Sequence, residues 1–359
     1  MSVDLTADPV ISASKLGCYV LPGGVSDPTK VIGQARAAEE LGLGTVWIGE
    51  RYDTKDLGSL AGALTQTTTT IRIGAAITHT GTRHPMTIAS MGQTLQSLSG
   101  GRFALGLGRS AAWRWQNYGL PHPTTQALRD AATILRRLWA GETVSYDGPV
   151  GTFPSLRLAQ RPDIAPPPLL LAAVGPKTLE AAGATFDGVI LHPFLTPEAV
   201  GRSAQAVRDA AAAVGRDPGT VRCYATVVCG PDNAAEPREH TVDARAAGYF
   251  HVSGLGDALV RANGWDPADL ERYRQQPGLA GLNGAQADKA LSRPELARLT
   301  AGMPSHWLPS SSATGTAAAC AQRLRDYLDA GADEIVLHGS TAENLGELVD
   351  AFTAGDGTR

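Results

Sequence analysis

Four short runs of this sequence carry groups able to do chemistry. Gly175-Pro176-Lys177-Thr178 precedes an apolar-periodic stretch. A glycine allows close backbone approach and a proline suits the first helical position. The free N–H groups and positive dipole end of such a helix suit a phosphate or carboxylate. An ordinary Gly-Pro helix start with a solvated lysine fits the same residues, and sequence alone weighs the two evenly. Gly106-x-Gly108-Arg109-Ser110 is a second anion-friendly turn, although for Arg109 alone a surface arginine after a strand is the plainer reading. Glu50-Arg51, taken in isolation, reads as an internal ion pair; functionally, the carboxylate could donate, accept or position a proton near a ring. His79, His192 and His338 invite a metal site if they converge. Single histidines in such places are more often hydrogen-bonded packing, and no H-x-H stands on the first strand, where Cys18-Tyr19 is found instead. No metal site is expected. Trp113 and Trp115 could cover an aromatic ligand, whereas Trp47 and Trp139 read as core.

Each of these groups falls at the carboxyl end of a segment that reads as a strand. The pattern is clearest over Ile71–Ser110: a near-continuous apolar run (IRIGAAI), a turn with His79 and His84, a helix (PMTIASMGQTLQSLS) with Ile88, Met91, Leu95 and Leu98 at helical spacing, and a second strand (RFALGLG). That is a βαβ unit with strands buried on both faces. Before it come the strands KLGCYVL and TVWIG, separated by a helix read as capped by Asp27 with Pro28 at its first position. After it come LLLAAV, FDGVIL, VRCYATVV and EIVLH, each followed or preceded by a helical pattern. Eight strand–helix pairs in alternation predict an α/β fold of the (β/α)₈ TIM-barrel type, with the barrel over about 15–353 and insertions after strands four and seven. The second insertion, about 230–313, is the least regular part of what reads as one domain over 1–359. The open doubly wound alternative lacks its G-x-G-x-x-G opening after the first strand.

The chain has 359 residues and a formal charge of −4, with no long Lys/Arg block. These features argue against a nucleic-acid surface or an anionic membrane as partner. No apolar run reaches membrane-spanning length and the first residues lack a basic-then-apolar pattern, so a cytoplasmic protein is expected. The four cysteines form no C-x-x-C and are read as buried, unreactive thiols.

The ordered series LGLGTVWIGER, IRIGAAITHTGTRHPMTIASMGQTLQSLSGGRFALGLGRS, LAAVGPKTLEAAG-x₃-DGVIL and AGADEIVL resembles the luciferase-like monooxygenase superfamily. Within it the chain is most similar to the deazaflavin (coenzyme F420)-dependent oxidoreductases, from Leu16 to Phe352 and most weakly over 230–312. The resemblance implies a cofactor ring at the carboxyl mouth of the barrel, resting on a bulge at the end of strand three (Ala76, Ile77, Thr78) with a non-proline cis peptide at Ala76–Ile77. It implies an acidic residue at Glu50, followed by Arg51 where relatives often have histidine. Gly106, Gly108, Arg109 and Ser110, with Gly175, Pro176, Lys177 and Thr178, correspond to segments that hold the cofactor's tail and phosphate. Glu50 and His79 are the catalytic candidates, and Arg51, Trp113 and His192 the substrate candidates. The implied reaction passes a hydride between ring C5 and a carbon of a small-molecule substrate. FMN in place of F420 would imply a monooxygenase, and a non-catalytic deazaflavin-binding protein or a metal-dependent barrel hydrolase stand as readings of other classes. A homodimer is implied by resemblance alone.

Overall fold

The computed structural model describes residues 11–23, 26–110, 112–232, 234, 237–280, 282 and 291–354, with only the backbone of 112–114. Eleven strands are present among them: β1 (Leu16–Tyr19), β2 (Thr45–Ile48), β3 (Arg72–His79), β4 (Phe103–Gly108), β5 (Val144–Gly148), β6 (Gly151–Leu156), β7 (Leu169–Ala173), β8 (Gly188–Leu191), β9 (Arg222–Pro231), β10 (Ser312–Gly315) and β11 (Glu334–Gly339). Eight of these pair in parallel in the order β1-β2-β3-β4-β7-β8-β9-β11, and β11 returns to β1 through Leu16↔Ile335 and Cys18↔Leu337. The expected closed barrel is therefore observed. β5 and β6 form an antiparallel hairpin in the insertion after the fourth barrel strand. β10, not foreseen in the sequence, adds to β9 at Ser312↔Val228.

Closure follows from side-chain alternation. One face of the strands supplies Trp47, Ala76, Ala104, Leu170, Ile190, Tyr224 and Val336, which pack together inside the ring with Tyr19 and Ile77. The other face joins the surrounding helices in the larger core, where Trp139 also lies. At the amino-terminal end of the ring Glu334 is fully buried and pairs with Arg72. The four cysteines are free and buried.

The helices that follow β1 to β4, β7 and β8 include α1 (Lys30–Glu40), α2 (Leu57–Thr67), α3 (Pro85–Leu98), α4 (Ala112–Asn117), α5 (Thr125–Trp139), α6 (Pro176–Thr185) and α7 (Pro197–Ala213). Their starts are set by local chemistry: Asp56, Thr124 and Thr196 each accept a backbone N–H of the first turn, and the His84 ring accepts that of Met86 at 3.2 Å. The Asp27 expectation needs correcting. Asp27 accepts the Thr29 N–H at 3.0 Å in a preceding turn, and α1 starts later, at Lys30, after Thr29. α4 interrupts what reads in the sequence as loop 110–123. The second insertion contains helices at 244–251, 255–263, 267–274, 293–299 and 307–311. Trp265 and Trp307 stack in its core at 4.9 Å. Among the described residues no helix is long and apolar enough to cross a membrane.

Between Ala75 and Thr78 the β3–β4 register shifts, and the Ala76–Ile77 peptide is cis. The bulge explains two glycines of the facing strand. A Cβ on Gly106 would lie 2.1 Å from the Ala75 carbonyl oxygen, and one on Gly108 would lie 1.9 Å from Ile77 Cδ1. Their smallness thus makes room for the bulge. Gly106→Ala meets backbone and is expected to cost about 1–3 kcal/mol of stability. Gly108→Ala meets the tip of one side chain and should be relieved by adding Ile77→Ala. Urea unfolding of the two single variants, and of each combined with Ile77→Ala, checks this, and rescue of Gly106→Ala by Ile77→Ala would contradict it.

Candidate active site at the barrel mouth

Glu50, directly after β2, is 4 % exposed. A buried carboxylate needs partners, and it accepts three hydrogen bonds. Thr78 donates its hydroxyl, Arg83 donates through Nη2, and Arg83 Nε lies 3.3 Å from Oε2. The Glu50 N–H also donates to the Ile77 carbonyl at 3.2 Å, so one residue ties the end of β2 to the bulge in β3. The Glu50–Arg51 ion pair expected from adjacency is not formed, because successive residues leaving a strand diverge. Arg83, from the turn before α3, takes that place and binds Asp56 at 2.6 Å as well. The missed signal was local: Arg83 is the only cation between β3 and α3.

His79 ends β3 and is 6 % exposed, its ring 5.4 Å from that of Tyr52. It lines a small cavity with Tyr52, Arg109, Ser110, Trp115 and Leu120. Ser110 has a φ of 65°, a conformation few non-glycine residues adopt, and this bend follows Arg109 as it leaves β4. Trp115 donates its indole N–H to the Arg109 carbonyl and covers the turn. Arg109 reaches across to Thr125, at the start of α5, and to Thr178 at 3.2 Å, on the first turn of α6. The two anion-friendly runs of the sequence are therefore brought together, although 69 residues separate Arg109 from Thr178. α6 opens as expected, with Pro176 at its first position and Gly175 as a cap without a side-chain bond. The side chain of Trp113 lies outside the described residues.

His192 and His338 meet on another sector of the mouth. Tyr249, from the second insertion, lies between them: its ring is 4.9 Å from His192, and its hydroxyl is 3.5 Å from His338 Nε2. Tyr19 packs against His338 with ring centres 4.7 Å apart, tilted at 44°, and donates its hydroxyl to the Ala76 carbonyl at 3.1 Å. Burial pushes His192 down to about 4 and holds His338 well below the ordinary histidine value, so both rings are neutral at pH 7. His79 belongs to the Tyr52 cavity instead, so the three histidines do not converge. Among the described residues no three His, Cys, Asp or Glu side chains are placed to hold a metal ion.

Arg83→Ala removes the counter-charge of a side chain with 0 % exposure and should cost about 3 kcal/mol. Asp56→Asn keeps the α2 cap and loses only an ion pair whose carboxylate is 50 % exposed, so it should cost under about 1 kcal/mol. Denaturant unfolding separates the two, and equal losses would contradict the dominance of the buried pair.

Comparison with known proteins places this geometry among relatives. The 5,10-methylenetetrahydromethanopterin reductase of Methanolobus tindarius is 30% identical over 318 residues, covering 87% of this chain and 90% of that protein. The F420-dependent glucose-6-phosphate dehydrogenase of Kineococcus radiotolerans is 26% identical over 347 residues, 91% of each chain. In three dimensions the coenzyme F420-dependent tetrahydromethanopterin reductase of Methanopyrus kandleri superposes with a TM-score of 0.74 at 20% identity, over 94% of this chain and 97% of that one, which shows a shared fold. A family model matches residues 10–334, nearly the whole barrel, and on that match the chain belongs to the luciferase-like monooxygenase family.

Proposed function

We propose that this chain is an oxidoreductase that binds coenzyme F420 and moves a hydride between the deazaflavin and a small organic substrate. The observation that carries the proposal is kinship along 91% of both chains with an enzyme named for its F420 dependence. The groups at the mouth suit an anionic, ring-bearing cofactor. Arg109 Nε is buried and finds no hydrogen-bond partner among the described residues. The start of α6 has no side-chain cap, and nothing lies within 4 Å of where a Cβ on Gly175 would stand. A phosphate-bearing tail would satisfy both, with Lys177 beside it.

When bound, the deazaflavin supplies a two-electron hydride carrier at ring C5. The chain supplies binding, orientation and dryness. Ala76, Ile77 and Thr78 offer the bulge as a platform, held from one side by Glu50 and from the other by the Tyr19 hydroxyl on the Ala76 carbonyl. Trp115 and His79 close the side toward Arg109. His192 and His338 can accept or donate a hydrogen bond at the substrate without bringing charge to it. Glu50 acts here as the residue that positions the bulge.

A fluorescence titration of the purified protein with oxidised F420 and, separately, with FMN tests the reading. Saturable micromolar or tighter F420 binding is expected, with weak FMN binding. The reverse preference would move the chain to flavin monooxygenation, and no binding of either would overturn the proposal. Lys177→Ala should weaken F420 binding about tenfold, the loss of one charge-assisted contact, and should leave binding of the phosphate-free deazaflavin fragment unchanged. Equal losses for both would remove Lys177 from the tail site.

A further inference from the structure

A second charged region stands across the mouth from Arg109 and Lys177. In the ring of strands β1 and β7 are four places apart, so the ends of β11, β1 and β2 face those of β4, β7 and β8 over the opening. Lys55 is 9 % exposed there, and its ammonium donates to the Leu21 carbonyl just past β1. Arg51 forms a backbone bridge with Lys55. From the second insertion, Arg293 donates to the His240 carbonyl at 3.1 Å and lies 3.2 Å from where a Cβ on Gly23 would stand. Arg245 donates to the Thr241 carbonyl at 2.6 Å and borders Gly339, at the end of β11. Four cations from the β2 loop and the insertion thus gather over the ends of β11 and β1.

Their proximity acts on the groups around them. Arg51 adds to burial in pushing the Lys55 ammonium down to about 8. After burial, Arg245, His192, Arg293 and Arg51 each help to keep His338 neutral. Among the described residues Arg51, Lys55 and Arg293 form no ion pair with a carboxylate. Arg83, on the neighbouring sector, has two. In a chain of net charge −4, these three cations, held near one another without a carboxylate, repel one another, and a bound anion would relieve that cost. Between the cations and the bulge lie the partly exposed rings of Tyr19, His338 and Tyr249, a neutral wall against which an organic body can pack.

We propose that this edge is the substrate site and that the substrate carries a carboxylate or phosphate group, clasped by Arg51, Lys55 and Arg293 while its reacting carbon extends over the Ala76–Thr78 bulge. The proposal rests on the F420 reading of the opposite edge, since a cofactor whose tail lies at Arg109 and Lys177 leaves the β11–β1–β2 side open.

The test is calorimetric titration of the F420-saturated protein with inorganic phosphate and, separately, with acetate, at fixed ionic strength. Saturable one-to-one binding of at least one anion is expected, weakened about tenfold by Arg51→Gln and again by Arg293→Gln, as for loss of a charge-assisted bond. F420 affinity should stay at the wild-type value in both variants. Preference for phosphate identifies a phosphorylated substrate, and acetate binding as tight or tighter identifies a carboxylate. Absence of saturable binding for both anions, or binding that neither substitution weakens, overturns the proposal. Failure of the wild-type protein to bind F420 would count against the cofactor reading instead. The same anion titrations on Lys177→Ala protein without cofactor, with and without Arg51→Gln, then test this edge alone.

Discussion

The mouth of the barrel is organised by one buried carboxylate. Glu50 cannot be left alone in a dry site, and two other segments hold it: its N–H and carboxylate reach the β3 bulge at Ile77 and Thr78, and Arg83 comes from the turn before α3. Satisfying one charge therefore fixes where β2 ends, how β3 departs from regular pairing, and how the chain enters the next helix. Asp56, which shares Arg83 and caps α2, extends the same arrangement to a fourth segment. A buried pair of this kind adds little net stability over an apolar contact, but it tolerates no loss of a partner. That intolerance suits it to hold a geometry.

The bulge in turn dictates its surroundings. Ile77 projects toward β4, and the strand answers with Gly106 and Gly108. At these two positions the turn also has a packing role that the sequence does not announce. One step along the chain, Arg109 joins the start of α6 through Thr178.

The barrel and its strand ends were legible because parallel buried strands read as apolar runs and the helices between them carry caps and periodic stripes. The candidate site residues were legible because they fall at those ends. Partnerships were not, since pairing across the mouth depends on which side chains the closed ring brings face to face. Arg83 displaced Arg51 for that reason, and His79 parted from His192 and His338. Tyr249 and Arg293 were invisible because the insertion has no repeating period to place its residues over the mouth.

Barrel closure has a consequence for assembly. β1 pairs with β11, near opposite ends of the chain, as Leu16↔Ile335. Contacts of such long sequence separation form slowly. On a ribosome adding about 5–20 residues per second, β2, β3 and β4 can meet early, and with them Glu50, the bulge and Arg83. Tyr19 and His338 come together only after β11 has been made. One nascent chain thus builds the mouth in stages, and a chain stopped short of β11 keeps β2, β3 and β4 but lacks His338.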